Sequence, residues 1–352
     1  MKNSFKRLFA GALALMFAFA VGCDKSGKDV SSVSADVSAP TSSVEEEKNS
    51  KFSINPLTGT KDLDPQFAKT RPVAIMVNNV GIAQSVQCGV SEADIVYETE
   101  VEGGITRLMA VYQNISKVNR VGTIRSARYP YIDFAMGHNA IYCHHGQDNT
   151  YAKPHLKDTT AYVVDENNAG KRIKNGKARE HTLYGLGNKL WECLEKKVDT
   201  ANKKSGSNWQ DFADEKEQIT LSGQTANTVS VPFSGAQKTN FTYDASTQKY
   251  TRVSNGVTLK DYNSGNTTQV KNVFVLMTSI TDYPDGYHRK VNLTSGEGYY
   301  VTNGACVPIK WSKGNASSSF KFTNADGSPL KVNAGNSWVC IANTSTCNPS
   351  FS

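Results

Sequence analysis

The polar side chains that could do chemistry gather between Asn78 and Asp148. The apolar run PVAIMV ends at Asn78-Asn79, and open α/β sheets bind ligands outside the carboxyl ends of their strands. Asp94, Glu98, Glu100 and Glu102 follow at even spacing, so a strand over 94–102 puts all four on one face. Such a face needs a basic or metal partner against it, or water. Arg125 and Arg128 bracket Ser126 just after the strand-like VGTI, and two guanidinium groups at a strand end make a fork for phosphate or carboxylate. The same arginines could instead neutralise Glu98 or Glu102 in a packed ion network. Arg120, Asp133, His138, His144, His145 and Asp148 lie nearby in sequence and widen the candidate cluster.

Other chemistries have weaker support. His144 and His145 are neighbours, and neighbours in a strand point to opposite faces, so they share a metal ion only if the chain bends. Ser126 lacks the GxSxG elbow of an acyl-transfer nucleophile. KNGKAREHTLY, with Arg179, Glu180, His181 and Tyr184, could close over the first cluster or form a solvated loop. DYPDGYHR, with His288 and Arg289, could complete a cleft from further along the chain.

Two textures of sequence must position these groups. From Arg71 to about Lys197, β-like runs alternate with helical ones near Tyr131 to Met136 and Leu186 to Lys197. Leu186, Leu190 and Leu194 mark one buried helix face. From about Thr228 onward the runs are short, aromatic and β-branched, as in NFTYD, KYTRV, NVFVLMT, GYYVTNG, VPIKW and SFKF. Asn255-Gly256 has the composition of a tight hairpin turn. The expected fold class is α+β, with an N-terminal α/β sheet domain over 55–210 and a smaller mostly-β C-terminal domain over 225–348. The polar stretch from Asp199 to Gln224 is the expected boundary.

Before these lies a basic start (Lys2, Lys6, Arg7), an apolar run from Leu8 to Val21, and Gly22-Cys23. This reads as a signal peptide over 1–22 with Cys23 lipidated, although Ala20 stands where the lipoprotein pattern usually has Leu. About 14 apolar residues fall short of the roughly 20 a spanning helix needs. The Ser-rich, charged stretch over 23–54 reads as a tether with a reach of about 30 Å. The expected location is therefore the outer face of the cytoplasmic membrane, lipid-anchored.

The chain carries 39 basic and 32 acidic side chains, for a net charge of +7. Loss of Lys2, Lys6 and Arg7 leaves 36 against 32, or +4, a balance that suits an anionic envelope surface but gives no reason to expect nucleic acid as a partner. Of seven cysteines, the six after Cys23 are too scattered for a disulfide scaffold. Cys340 and Cys347 are the pair expected to bridge if any does.

NPLTG, RPVAIMVNN, SEADIVYETEVEGGITRLMAVYQ, VGTIRSARYPYIDFA, REHTLY, KNVFVLM and GYYVTNGACVPIKW together resemble the DUF3048 lipoproteins, the YerB-like proteins of Gram-positive bacteria, over about 290 residues. The resemblance implies an α/β domain followed by a smaller β domain and implies no activity. Asn78 stands where relatives commonly carry Asp, and Cys347 belongs to an added tail. A fainter similarity of order links VNN, EADIVYETEV and GTIRSAR to the LytR-CpsA-Psr phosphotransferases. By that similarity Arg107, Arg125 and Arg128 would grip a pyrophosphate, with Ser126 replacing an expected Asp.

The expectation is a cleft built from Arg107, Arg125, Arg128, Glu98, Glu102, His144 and His181. It would bind an anionic wall polymer, a polyprenyl-linked ligand or a wall-synthesis protein, with no cofactor. The alternative is a phosphotransferase using Mg²⁺ held by Asp94, Glu98 or Glu102.

Overall fold

The computed structural model describes residues 51–202 and 208–352; the expected signal peptide, Cys23 and nearly all of the tether lie outside them. Among the described residues, no helix is long and apolar enough to cross a membrane.

An 11-stranded mixed sheet organises the molecule. We number ten of its strands: β1 Val73–Asn78, β2 Ile95–Glu100, β3 Thr106–Tyr112, β4 Ile141–His144, β5 Ala161–Val163, β6 Gln224–Thr225, β7 Asn272–Thr278, β8 Ser295–Thr302, β9 Ala305–Ser312 and β10 Ser337–Asn343. They lie in the order β6-β9-β8-β7-β10-β2-β3-β1-β4-β5, and Lys321–Asn324 adds to β9. β10 runs parallel to β7 on one side, with Asn272 opposite Ser337, and to β2 on the other, with Ile95 opposite Ser337. All seven of its residues are buried, as expected of a strand covered on both faces. One late strand thus joins the two differently textured halves of the sequence into a single sheet.

The alternation of side chains divides the core in two. Tyr97, Met109, Val339 and Ile341 point to one face, where helix α1 (Tyr129–Gly137) packs with Tyr131 and Phe134. Val96, Leu108, Trp338 and Cys340 point to the other. That second face is covered by helix α2 (Gly187–Lys197) and by a second sheet built around Thr228–Pro232, Lys238–Asp244 and Lys249–Ser254. Leu190 and Leu194 are buried as their spacing requires, while Leu186 caps the helix. Asn255 and Gly256 take φ of 47° and 80°, the two positive values of a type I′ hairpin turn.

Trp209, in the stretch expected as a domain boundary, inserts into the first core against Phe274 and Phe322. Cys340 and Cys347 are both buried and free, so the expected bridge is absent; all six described cysteines are unpaired.

Candidate functional site

The even-spaced acids are neither a solvated face nor one ligand set. Strand β2 ends at Glu100, and the chain then turns through Gly103 and Gly104, with φ of 69° and 70°, so Glu102 leaves the strand's register. Glu98, Glu100 and Glu102 are all buried, and each carboxylate has its own partners.

Glu98 faces the second sheet. Its Oε1 accepts from Thr106 Oγ1 at 2.8 Å, Thr239 Oγ1 at 2.9 Å and Asn79 Nδ2 at 3.0 Å, while Oε2 accepts from Trp338 Nε1 at 3.1 Å. Arg252, 1 % exposed, lies over the Trp338 ring at 4.6 Å and donates Nη2 to Asn79 at 2.9 Å. Arg107 is on the opposite face of the sheet, being paired across the ladder with Thr99 rather than Glu98. A period-2 strand therefore keeps Glu98 away from the arginine cluster, and the expected Glu98/Glu102 face is two separate sites.

Glu102 is the acid that the arginines use. Its Oε1 accepts from Arg107 Nη2 at 3.0 Å and from Arg128 Nη2, and its Oε2 from Arg128 Nε at 2.8 Å. Arg107 extends from β3 opposite Asn78 and also donates to the Ser126 carbonyl at 2.6 Å. Arg128 is the extended residue that precedes α1, whose first turn holds Pro130 where no backbone donor is needed. Burial alone would raise the Glu102 carboxyl, but the Arg128 hydrogen bond and the charges of Arg107 and Arg128 hold it down at about 2. Burial, then the neighbouring charge of Arg128, brings Arg107 down to about 10.

Arg125 is a third guanidinium beside the two that bind Glu102. It donates to the Glu180 carbonyl at 3.0 Å, and among the described residues no carboxylate lies within 4 Å to form a salt bridge with it. The Glu180 contact brings KNGKAREHTLY against the cluster. His181 accepts on Nδ1 from Asn78 Nδ2 at 2.8 Å, at the carboxyl end of β1. Burial, and then the charge of Arg125, lowers its pKa. His144 donates Nδ1 to the Gly146 carbonyl at 2.7 Å, and burial lowers its pKa too. His145 turns away to the Val164 carbonyl, so the neighbouring histidines diverge as a strand requires.

Other members of the wider sequence cluster are dispersed. His138 is the half-buried residue that ends α1, with Nε2 2.7 Å from the Tyr97 hydroxyl, and burial takes its pKa to about 3. Asp133 pairs with His155 at 2.6 Å. Arg120 lies between the rings of Tyr184 and Tyr262. Asp94 is held by Asn55 and by the Gln113 amide, and burial pushes its carboxyl up to about 6. Asp94, Glu98 and Glu102 do not converge, and no group of three or more His, Cys, Asp or Glu side chains among the described residues is placed to share a metal ion.

DYPDGYHR does reach the site. It forms the turn of a hairpin, Ile280–Asp282 with Arg289–Val291. Arg289 Nη2 binds Glu100 at 3.0 Å, and His288 stands 4.0 Å from Asp148. Tyr151 and Tyr283 stack here at 3.8 Å beside Tyr129. The tyrosines escaped the sequence reading because nothing local distinguishes them from core aromatics.

Family models cover both of these segments. The family model described as "Protein of unknown function (DUF3048) N-terminal domain" matches residues 57–203, and the corresponding C-terminal domain matches 229–339. The chain belongs to the DUF3048 family. It is 28 % identical over 293 residues to "Putative lipoprotein YerB" of Bacillus subtilis (strain 168), covering 81 % of this chain and 85 % of that protein. The crystal structure of YerB from Bacillus subtilis superposes with a TM-score of 0.70 at 26 % identity, covering 84 % of this chain and 99 % of that one. In DUF3048 terms, the N-terminal segment supplies Glu102 and the three arginines, while the C-terminal segment supplies Tyr283, His288 and Arg289. Glu98 is completed by Gln237, Thr239 and Trp338 from the C-terminal segment.

Proposed function

We propose that the protein is a lipid-anchored lipoprotein on the outer face of the cytoplasmic membrane that binds an anionic wall polymer or polyprenyl-linked phosphate at Arg107, Arg125 and Arg128. One observation carries the reading: two guanidiniums, those of Arg107 and Arg128, bind the buried carboxylate of Glu102, and a third, Arg125, stands near them with its hydrogen bond spent on a backbone carbonyl. A cluster with more guanidiniums than carboxylates favours an incoming anion and offers it planar, charged donors. His181 and His144 are both buried and biased toward the neutral form, so neither adds a charge of its own beside the cluster. The basic start, apolar run and Cys23 supply the anchor, and similarity to a protein described as a lipoprotein supports it.

Thermal unfolding of the full chain in detergent, with inorganic pyrophosphate or a polyprenyl phosphate added, tests the site. An anion at 100 times its dissociation constant adds about 2.7 kcal/mol of stability. The shift is expected to vanish in Arg125→Ala/Arg128→Ala. Equal shifts in the wild type and the double variant, or none from either anion, overturn the reading. Mg²⁺-dependent turnover of a pyrophosphate-linked substrate would replace binding by phosphotransfer.

A further inference from the structure

The ion pair between Glu100 and Arg289 has unmade bonds at both ends. Arg289 gives Nη2 to Glu100 and Nη1 to Asp282, yet among the described residues its buried Nε–H has no acceptor, and Glu100 Oε1 has no donor. Glu100 is 3 % exposed. A buried donor or acceptor left unmatched is destabilising, so two in one ion pair amount to an unfilled binding capacity of one donor and one acceptor.

Two hollows meet at this pair, and both residues line each of them. One, among Tyr129, Tyr151 and Tyr283, has about 10 Å³ of free volume, room for about one water molecule. The other is an open groove of about 580 Å³, within the range of small-molecule sites. Its floor is the turn at Gly103 and Gly104, where a side chain at Gly103 would meet nothing within 4 Å. Its rim carries Ser234 and the ring of Tyr287, which is 57 % exposed.

The geometry points to a glycan subsite in this groove, taking one or two sugar rings. A sugar hydroxyl both donates and accepts, which matches the unmatched oxygen of Glu100 and the unmatched N–H of Arg289, both buried between the two hollows that these residues line. The apolar C–H face of a pyranose suits an exposed tyrosine ring, whose body is apolar and whose tip is polar. A peptide strand fits less well, because it needs a row of alternating backbone partners, whereas the groove offers one pair of side chains. The inference rests on the anionic-ligand reading and extends it. The arginine cluster, on the other side of the Glu102–Gly104 turn, would hold the charged group, and the groove the sugar attached to it.

Calorimetric titration of the full chain in detergent with the neutral trisaccharide of N-acetylglucosamine tests this. Binding is expected, weakened about tenfold, or 1.4 kcal/mol, by Tyr287→Ala, whose exposed side chain leaves the fold intact. Glu100→Gln is expected to weaken it as well, and Val257→Ser, on the far sheet, to leave it unchanged. No binding of the trisaccharide, or affinity indifferent to both Tyr287→Ala and Glu100→Gln, overturns the inference. Binding of a neutral peptide of equal mass in its place also overturns it. Pyrophosphate titrated into the same sample separates the two readings: pyrophosphate binding without sugar binding removes the glycan subsite alone, and sugar binding without pyrophosphate removes the anionic one.

Discussion

Glu98 and Glu102 lie four residues apart, and both are buried, but their surroundings differ in kind. Glu98 is enclosed between two sheets by hydroxyl, amide and indole donors, with the cation of Arg252 reaching it through Asn79 and Trp338. Glu102 lies just beyond the strand, under two guanidiniums with a third nearby. A carboxylate satisfied by neutral dipoles locks two layers together and offers nothing to solvent. A carboxylate shared among several arginines preorganises donors that a second anion can use. Similar spacing along one strand can therefore serve cohesion at one position and recognition at the next.

The sharpest way to break this contrast is at Trp338. Trp338→Ala removes the ring under Arg252 and the indole donor to Glu98 together, and is expected to cost about 4 kcal/mol in urea unfolding. A loss below about 1 kcal/mol would mean that the interlayer network contributes little to cohesion. Next in size is the pair Glu98→Gln and Glu102→Gln. The first turns an amide N–H toward hydroxyl and indole donors in a dry site, with an expected cost of about 2 kcal/mol, and leaves pyrophosphate affinity unchanged. The second is expected to change that affinity, since it alters the charge the arginines share. Identical effects of the two on binding would dissolve the distinction.

The smallest effect is a pH dependence of opposite sign at two carboxyls. Glu102, held at about 2, lies below its unfolded value near 4.3. Its contribution is complete above that value and is lost as pH falls toward about 2. Asp94, raised to about 6, behaves inversely: its contribution is present below about 4 and is lost as pH rises through about 6. Urea midpoints measured across pH 2 to 7 should show a shallower acid limb in Glu102→Gln. In Asp94→Asn the decline between pH 4 and 6 should disappear. An acid limb in Glu102→Gln that matches wild type would place the acid-sensitive contact elsewhere.

Much of this was legible where the signal is local. The i, i+4 spacing of Leu190 and Leu194 found its core, Asn255-Gly256 made its turn, and Arg128 met Glu102 as one of the two readings of the arginines required. The rest depended on partners far away in sequence. Nothing in ETEVEGG announces that Glu98 answers to Thr239 and Trp338, 141 and 240 residues away. The even spacing of the acids was visible, but the turn at Gly103 and Gly104 that takes Glu102 out of register was not. SWVCIAN is not among the strand-like runs singled out, and periodicity carries no record of which two strands will flank it. Arg252 had no distinguishing mark within KYTRV, where its alternation placed it inward among apolar neighbours.

The central position of β10 has a consequence for the order of assembly. Chains are made from the N-terminus, and Thr99 must wait for Ile341, 242 residues later, before their hydrogen bond can form. Until Ser337–Asn343 emerges, β2 and β7 each present an unpaired edge rich in apolar residues. Contacts this distant slow folding, and open strand edges invite pairing with other chains. Completion of β10 thus closes both edges at once, and a chain cut short before residue 337 is left with two exposed edges.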